Sequence, residues 1–164
     1  MCKPVNVFHG KNAMPDKFFL DTNVIIYSFD SSHPKRQKIA RELIREALVE
    51  GAGCISYQVI EEFLNVATKK FAVPLSYRDS HNYLTTVLEP LCTAYVSTDL
   101  YYLALEIAER WQYSFNDALI ISAALQNNCN VLYSEDLKDG QVIKDLRIVN
   151  PFKFIERKNY MSEL

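Results

Sequence analysis

The fold of this chain is decided by residues 18–27, which read Phe18-Phe19-Leu20-Asp21-Thr22-Asn23-Val24-Ile25-Ile26-Tyr27. Seven of these ten side chains are apolar or aromatic, and the three polar ones stand together in the middle of the run. A short apolar run of this kind is typical of a strand that is buried on both faces, as in a parallel sheet. We predict the strand itself over residues 18–22.

Asp21 places a carboxylate inside this apolar run, and a buried charge is costly unless a partner compensates it. The residue is therefore expected either where the strand ends and the chain turns, or bound to a cation. In an open parallel sheet the two places coincide, because ligands bind outside the carboxyl ends of the strands. The sequence around Asp21 thus predicts where a functional site would lie.

The composition is that of a globular domain with one hydrophobic core: of 164 residues, 49% are hydrophobic and 23% are charged. No apolar stretch approaches the ~20 residues that span a bilayer, and residues 1–10 lack the apolar core of a signal peptide. We therefore predict a cytoplasmic protein without a membrane segment. A net charge of −2 is unlike that of most nucleic-acid-binding proteins, although one bound divalent cation would neutralise it.

Strands and helices alternate along the chain. Helices are predicted over residues 34–50, 57–72 and 77–88, after a cap at Ser97 or Thr98, and over the most apolar stretch, 118–125. Strands are predicted over residues 18–22, 54–56, 93–96, 131–133 and 147–151. This alternation favours an α/β fold, a three-layer α/β/α sandwich with a mainly parallel central sheet. We expect a loosely ordered lead-in over residues 1–17, one domain over 18–156 and a charged tail over 157–164.

The helix predicted over residues 34–50 has one apolar face, and its basic residues lie largely on the other faces. These residues are Lys35, Arg36, Lys38, Arg41 and Arg45. Such a pattern is typical of a solvated helix surface, and it is also the pattern of a face that binds RNA or a protein partner. The sequence leaves both interpretations open.

Four carboxylates stand where strands end or helices begin. Asp21 ends the first strand, Glu62 lies on the helix after the second, Asp117 lies in the first turn of the apolar helix, and Asp136 follows strand 131–133. Carboxylates that converge at one edge of a sheet repel one another, so a cluster of them is stable mainly around a hard cation. Mg²⁺ and Mn²⁺ prefer such oxygen ligands.

Each acid also has a purely structural interpretation. Ser114 and Asp117 match a capping box, and Asp136 could similarly follow a cap at Ser134. Asp21 could cap a turn. On the helix over 57–72, the polar side carries Gln58, Glu62, Asn65 and Lys69, so Glu62 could pair with Lys69 or Asn65 along its own helix face. Helix geometry alone does not separate Glu62 from Glu61.

Four motifs in order give the chain a family resemblance. They are Leu20-Asp21-Thr22-Asn23-Val24-Ile25-Ile26-Tyr27, Gln58-Val59-Ile60-Glu61-Glu62-Phe63, Phe115-Asn116-Asp117-Ala118-Leu119-Ile120 and Val131-Leu132-Tyr133-Ser134-Glu135-Asp136-Leu137. Over residues 18–154 the sequence resembles a PIN domain, in particular the VapC-type toxin ribonucleases of bacterial toxin–antitoxin pairs. Each motif is weakly specific by itself, whereas the four at these spacings are fairly specific.

The resemblance implies a site and an activity. Its four acidic positions correspond to Asp21, Glu62, Asp117 and Asp136, and the family pattern selects Glu62 over Glu61. Polar positions that support the acids correspond to Thr22, Asn23 and Ser134. The implied activity is Mg²⁺-dependent endonucleolytic cleavage of RNA, with Mn²⁺ as a substitute ion. The implied partners are the RNA substrate, a small antitoxin protein and a second copy of the chain in a homodimer.

Two alternatives accompany this hypothesis. A PIN-like fold could bind RNA or a protein without cutting, although all four acids are retained. A phosphotransfer enzyme or receiver domain could also be built around an aspartate at a strand end. A dehalogenase-type phosphatase requires a second aspartate two residues on, where this chain has Asn23, and a receiver requires an adjacent acidic pair before Asp21, which is absent.

Overall fold

A computed structural model describes residues 16–153 of the chain. Within this range the strands are β1 (Phe18–Leu20), β2 (Gly53–Ser56), β3 (Cys92–Ala94), β4 (Val131–Tyr133), β5 (Val142–Ile143) and β6 (Leu146–Val149). They form one sheet in the order β3-β2-β1-β4-β6-β5, in which all neighbours are parallel except β5 and β6. The predicted α/β architecture with a mainly parallel sheet is confirmed. The expected lead-in and tail lie outside the described residues, apart from residues 16 and 17.

Helices connect the strands and cover the sheet. They are α1 (Thr22–Tyr27), α2 (Pro34–Glu50), α3 (Tyr57–Lys69), α4 (Tyr77–Tyr83), α5 (Glu89–Leu91), α6 (Thr98–Trp111) and α7 (Phe115–Gln126), with a π-helical stretch, Leu84–Leu88, between α4 and α5. The bounds predicted for α2 are confirmed, because Pro34 begins the helix and Gly51 ends it in the left-handed conformation. Within residues 16–153, no helix combines the length and hydrophobicity needed to cross a bilayer.

Three details of the sequence prediction were wrong. The first strand ends at Leu20, and Asp21 caps a helix, α1, that the apolar run concealed. Residues 135–137, directly after β4, form a bend and not a helix, so Ser134 is not a helix cap. The last strand is β6 rather than residues 147–151, and a tight antiparallel hairpin pairs it with β5.

The middle of the sheet is the centre of the core. Phe19 and Leu20 of β1 have no solvent exposure, and neither does Leu132 of the adjacent β4. Helix α7 is buried over most of its surface, as its apolar sequence predicted. Since β1 is held on both sides by parallel neighbours, the chain leaves its carboxyl end from a rigid position, and the polar residues that follow are fixed in place.

Candidate active site

The register of β1 and β4 brings two distant parts of the sequence together. Leu20 pairs with Tyr133, and the Asp21 N–H donates to the Tyr133 carbonyl oxygen at 3.0 Å. Both strands end here, so Asp21 and Ser134 are neighbours at the carboxyl edge of the sheet. This is the edge at which the sequence predicted a ligand site.

The Asp21 carboxylate is hydrogen-bonded on both oxygens. Its Oδ1 accepts from the Thr22 N–H at 2.7 Å, and its Oδ2 accepts from the Ser134 hydroxyl at 2.6 Å and from the Asn23 amide at 3.1 Å. Asp21 is only 8% exposed. It is therefore a buried acid with neutral donors, as the cost of burying a carboxylate requires.

Burial is nevertheless the largest influence on the pKa of the Asp21 carboxyl group. Loss of solvent raises the pKa of Asp21 to about 6, although the hydrogen bonds from Ser134 and Thr22 lower it. The negative charges of Glu62 and Asp136 raise the pKa of Asp21 further. Within residues 16–153, no lysine or arginine forms an ion pair with the ionised Asp21 carboxylate, so a bound cation would stabilise it.

Asn23 links two of the acids. Its Nδ2 lies 3.1 Å from Asp21 Oδ2 and 3.1 Å from Asp136 Oδ2, and its Oδ1 accepts from the Glu135 N–H at 3.2 Å. The backbone donor fixes the amide so that its NH₂ group faces the carboxylates. Ser134 assists, because its hydroxyl oxygen accepts from the Asp136 N–H at 3.2 Å.

Glu62 reaches the same place from α3. Its Oε2 accepts from the Thr22 hydroxyl at 2.7 Å, and its Oε1 accepts from Gln58 Nε2 at 2.8 Å. Gln58 also donates to the Asn116 carbonyl oxygen at 3.2 Å, which joins α3 to the start of α7. The pairing considered with Lys69 or Asn65 is not formed; those two residues bond to each other instead, at 3.3 Å.

Asp117 both takes part in capping α7 and lines the cleft with the other acids. Ser114 and Asp117 form a capping box, in which Ser114 Oγ accepts from the Asp117 N–H at 3.1 Å and donates to Asp117 Oδ2 at 2.8 Å. The carboxylate also lines the cleft that contains the other three acids. Capping orients this side chain and does not remove it from the site.

The four acids share one open cleft of about 380 Å³. It is lined by Asp21, Thr22, Asn23, Ile26, Gln58, Glu62, Asn65, Val66, Lys70, Asn116, Asp117, Ile120 and Asp136. Glu61 is exposed and does not line it. Asn116 and Lys70 are lining residues that the sequence analysis did not single out as site residues.

The cleft is not a preformed metal cage. Among residues 16–153, no three His, Cys, Asp or Glu side chains are grouped closely enough to hold an ion as they stand. The available donors are nevertheless all oxygens, from four carboxylates and neighbouring amides, and their chemistry fits Mg²⁺ or Mn²⁺. Within the same residues, no lysine or arginine forms an ion pair with the four acids.

The motifs and this geometry agree with a comparison to known families. The PIN domain family model matches residues 18–141. The chain belongs to the PIN domain family. The family assignment made from the four motifs is therefore confirmed. No curated relative matches the chain.

Solved structures of the same fold include PIN domain toxins. A toxin–antitoxin complex from Klebsiella pneumoniae is 19% identical, with a TM-score of 0.60 over 82% of this chain and 98% of that chain. VapC20 from Mycobacterium tuberculosis, a toxin that cleaves the sarcin–ricin loop, is 20% identical, with a TM-score of 0.54 over 73% of this chain and 90% of that chain. VapBC2 from Rickettsia felis, bound to promoter DNA, is 19% identical, with a TM-score of 0.50 over 81% of this chain and 97% of that chain. At these identities the likeness establishes the fold.

Arg36, a basic residue of α2, contacts residues that hold the candidate site of this PIN domain in place. The Arg36 guanidinium lies over the rings of Tyr27, at 5.0 Å, and Phe152, at 5.7 Å, and it pairs with the Glu135 carboxylate. Glu135 is the residue whose N–H orients Asn23, so Arg36 helps to fix the turn that carries Asp136. The other four basic residues of α2 are exposed.

Proposed function

We propose that this PIN domain is a Mg²⁺-dependent endoribonuclease that hydrolyses RNA phosphodiester bonds, and that it is the toxin of a toxin–antitoxin pair. The observation that carries the proposal is the convergence of Asp21, Glu62, Asp117 and Asp136 in one open cleft. Support also comes from the family and from the toxins that share its fold.

The four acids would have different tasks. Asp21 and Asp117 would hold the principal ion, directly or through water, and Glu62 and Asp136 would hold a second ion or orient the attacking water. A divalent cation, when bound, lowers the pKa of water and neutralises charge on the phosphate and on the leaving oxygen. Mn²⁺ has the same ligand preference and is expected to substitute for Mg²⁺.

Uncharged residues that line the cleft, Thr22 and Asn23, and the buried Ser134 beside it keep these acids in place. Thr22 holds the Glu62 carboxylate with its hydroxyl, and Asn23 donates to Asp21 and Asp136 together. Ser134 donates to Asp21 from the other strand. Because these donors are neutral, they orient the carboxylates without cancelling the charge that a cation requires.

Incubation of the purified protein with total RNA tests the activity. New 5′ ends that appear with Mg²⁺ and disappear with EDTA, mapped by sequencing, are the expected result. RNA that stays intact under both conditions, while binding to the protein is retained, would instead identify a non-catalytic PIN-like binding module. Addition of Mn²⁺ to the EDTA-treated and dialysed protein is expected to restore cleavage.

The antitoxin is proposed from the toxins that share the fold, one of which is a toxin–antitoxin complex. A short open reading frame next to the gene for this chain would identify a candidate. Co-expression and co-purification of the two products, with loss of RNA cleavage in the complex, is the expected outcome. A neighbouring small protein that leaves cleavage unchanged would contradict the inhibitory partnership.

We also propose a homodimer, and exposed large apolar side chains of α6 and of the segment before it support the proposal. Tyr95 and Tyr102 are each 72% exposed, Val96 is 56% exposed and Leu105 is 57% exposed. Exposed apolar side chains of this size are candidates for an interface, and a second copy of the same chain is the simplest partner. By light scattering we expect the wild-type mass to be twice that of the chain. Leu105→Glu should give the mass of one chain, and a wild-type monomer at micromolar concentration would exclude the dimer.

A further inference from the structure

Lys70 is the one lysine or arginine, among residues 16–153, that lines the cleft with the four acids. It caps α3, and its N–H donates to the Val66 carbonyl oxygen at 2.7 Å, so the backbone at this end of the cleft is fixed. Its side chain is exposed, and it forms no hydrogen bond or ion pair within the described part of the chain. The ammonium group is therefore available to a ligand in the cleft.

The charge distribution gives this ammonium group a specific use. An RNA strand that enters the cleft carries one negative charge at each phosphate, and four carboxylates face it there. A bound cation offsets this repulsion only where it sits. A positive charge further along the wall attracts a phosphate that the cation does not reach.

The position of Lys70 along α3 indicates which phosphate this is. Lys70 follows Glu62 by eight residues, which corresponds to about 12 Å along a helix axis. The backbone positions of Glu62 and Lys70 are thus more than two helical turns apart, so the two side chains are suited to different phosphates of one strand. We propose that Lys70 binds a backbone phosphate that flanks the scissile one, and that RNA runs along the side of α3 that lines the cleft, from Glu62 to Lys70. The inference rests on the proposed function, because it is the proposed hydrolysis that places the scissile phosphate at the acids.

Lys70 also has a structural role to be distinguished from this one, because a cation at the C-terminus of a helix interacts favourably with the helix dipole. That role affects the melting temperature. It does not affect the salt dependence of RNA binding, because the slope of log K against log salt reflects the number of phosphates that the protein neutralises. Salt dependence is therefore the measurement that separates the two.

The test uses the full chain carrying Asp21→Asn, so that RNA is not cut, and a short fluorescein-labelled single-stranded RNA of mixed sequence. Anisotropy gives the binding constant at fixed Mg²⁺ between about 50 and 200 mM KCl. With Lys70→Gln added, we expect binding about three- to tenfold weaker and a slope of log K against log salt smaller by about 0.7. Lys70→Arg should keep the slope of the parent.

Lys69→Gln is the matched control. Lys69 has the same charge at the same end of α3, but it bonds to Asn65 and does not line the cleft. Its replacement should leave the slope unchanged. An unchanged slope in Lys70→Gln, or an equal loss in both variants, would overturn the proposal.

The two proposals fail in different ways. Active wild-type enzyme together with an unchanged slope in Lys70→Gln would remove Lys70 and keep the ribonuclease. A wild-type protein that cuts no RNA, with a slope reduced by Lys70→Gln, would remove the ribonuclease and keep the phosphate contact.

Discussion

Asp21→Asn is expected to lower the proposed RNA cleavage by more than 100-fold while leaving the protein folded. Replacement of groups that merely orient a metal ligand typically costs 10- to 100-fold, so the loss of a ligand charge should cost more. The measurement is the initial rate of cleavage of the RNA identified in the sequencing experiment, at saturating Mg²⁺. Wild-type rates in this variant would remove Asp21 from the mechanism.

The fold is expected to survive this substitution because of the way Asp21 is bonded. The asparagine carbonyl keeps the hydrogen bond from the Thr22 N–H, which caps α1. Its NH₂ group then faces the Ser134 hydroxyl and the Asn23 amide, and these lose an acceptor. That loss costs about 1–3 kcal/mol, and removal of a poorly solvated charge offsets part of it. Circular dichroism and the melting curve check that the variant is folded.

Asp145→Asn is the matched control for loss of charge. Asp145 lies in the exposed turn between β5 and β6, away from the cleft. It is expected to retain the wild-type rate. If both variants lost activity equally, the effect of Asp21→Asn could not be assigned to the cleft.

The helices that were predicted most accurately carry their own boundary signals. Helix α2 has proline at its start, glycine after its end and a regular apolar face, so local sequence and tertiary structure agree. Helix α1 has none of these. Val24 and Ile25 are fully buried, and such β-branched residues favour strands, so no helical period is visible. Its helical form depends on the Asp21 cap and on packing against α2 and α3, which sequence does not display.

The candidate site likewise has features that the sequence predicted and features that it did not. The convergence of the acids could be inferred because parallel strands end at one edge, and the register of Leu20 with Tyr133 realises that rule. The pairing of Arg36 with Glu135 could not, because 99 residues separate them. The period of α3 pointed to Lys69 on the polar side. The structure instead places Lys70, the residue that caps the C-terminus of α3, in the cleft.

Mg²⁺ is expected to raise the melting temperature, and to raise it more at pH 7.5 than at pH 5. Without an ion, burial raises the pKa of Asp21 from 3.8 to about 6. Protonated Asp21 therefore stabilises the folded state fully below pH 4, and this contribution is lost as the pH rises through 6. The full shift of roughly two pKa units corresponds to about 3 kcal/mol between pH values below 4 and pH 7.5. At pH 5 about half of this contribution remains, so the melting temperature with EDTA should be lower by about 3–5 °C at pH 7.5 than at pH 5.

A bound cation reverses this loss, because it stabilises the ionised form of the same carboxylate. Protons compete with the ion below pH 6, so the Mg²⁺ concentration for half of the thermal shift should rise about tenfold per pH unit there. The comparison is between thermal melts with EDTA and with Mg²⁺ at the two pH values. Asp21→Asn has no charge to bury at this position. Its melting temperature should therefore lack the change between pH 5 and 7.5 that Asp21 causes, and Mg²⁺ should raise it much less than it raises that of the wild type. A wild-type melting temperature that is the same with EDTA and Mg²⁺ at pH 7.5 would mean that the cleft does not bind the ion, and the hydrolytic mechanism would lose its basis.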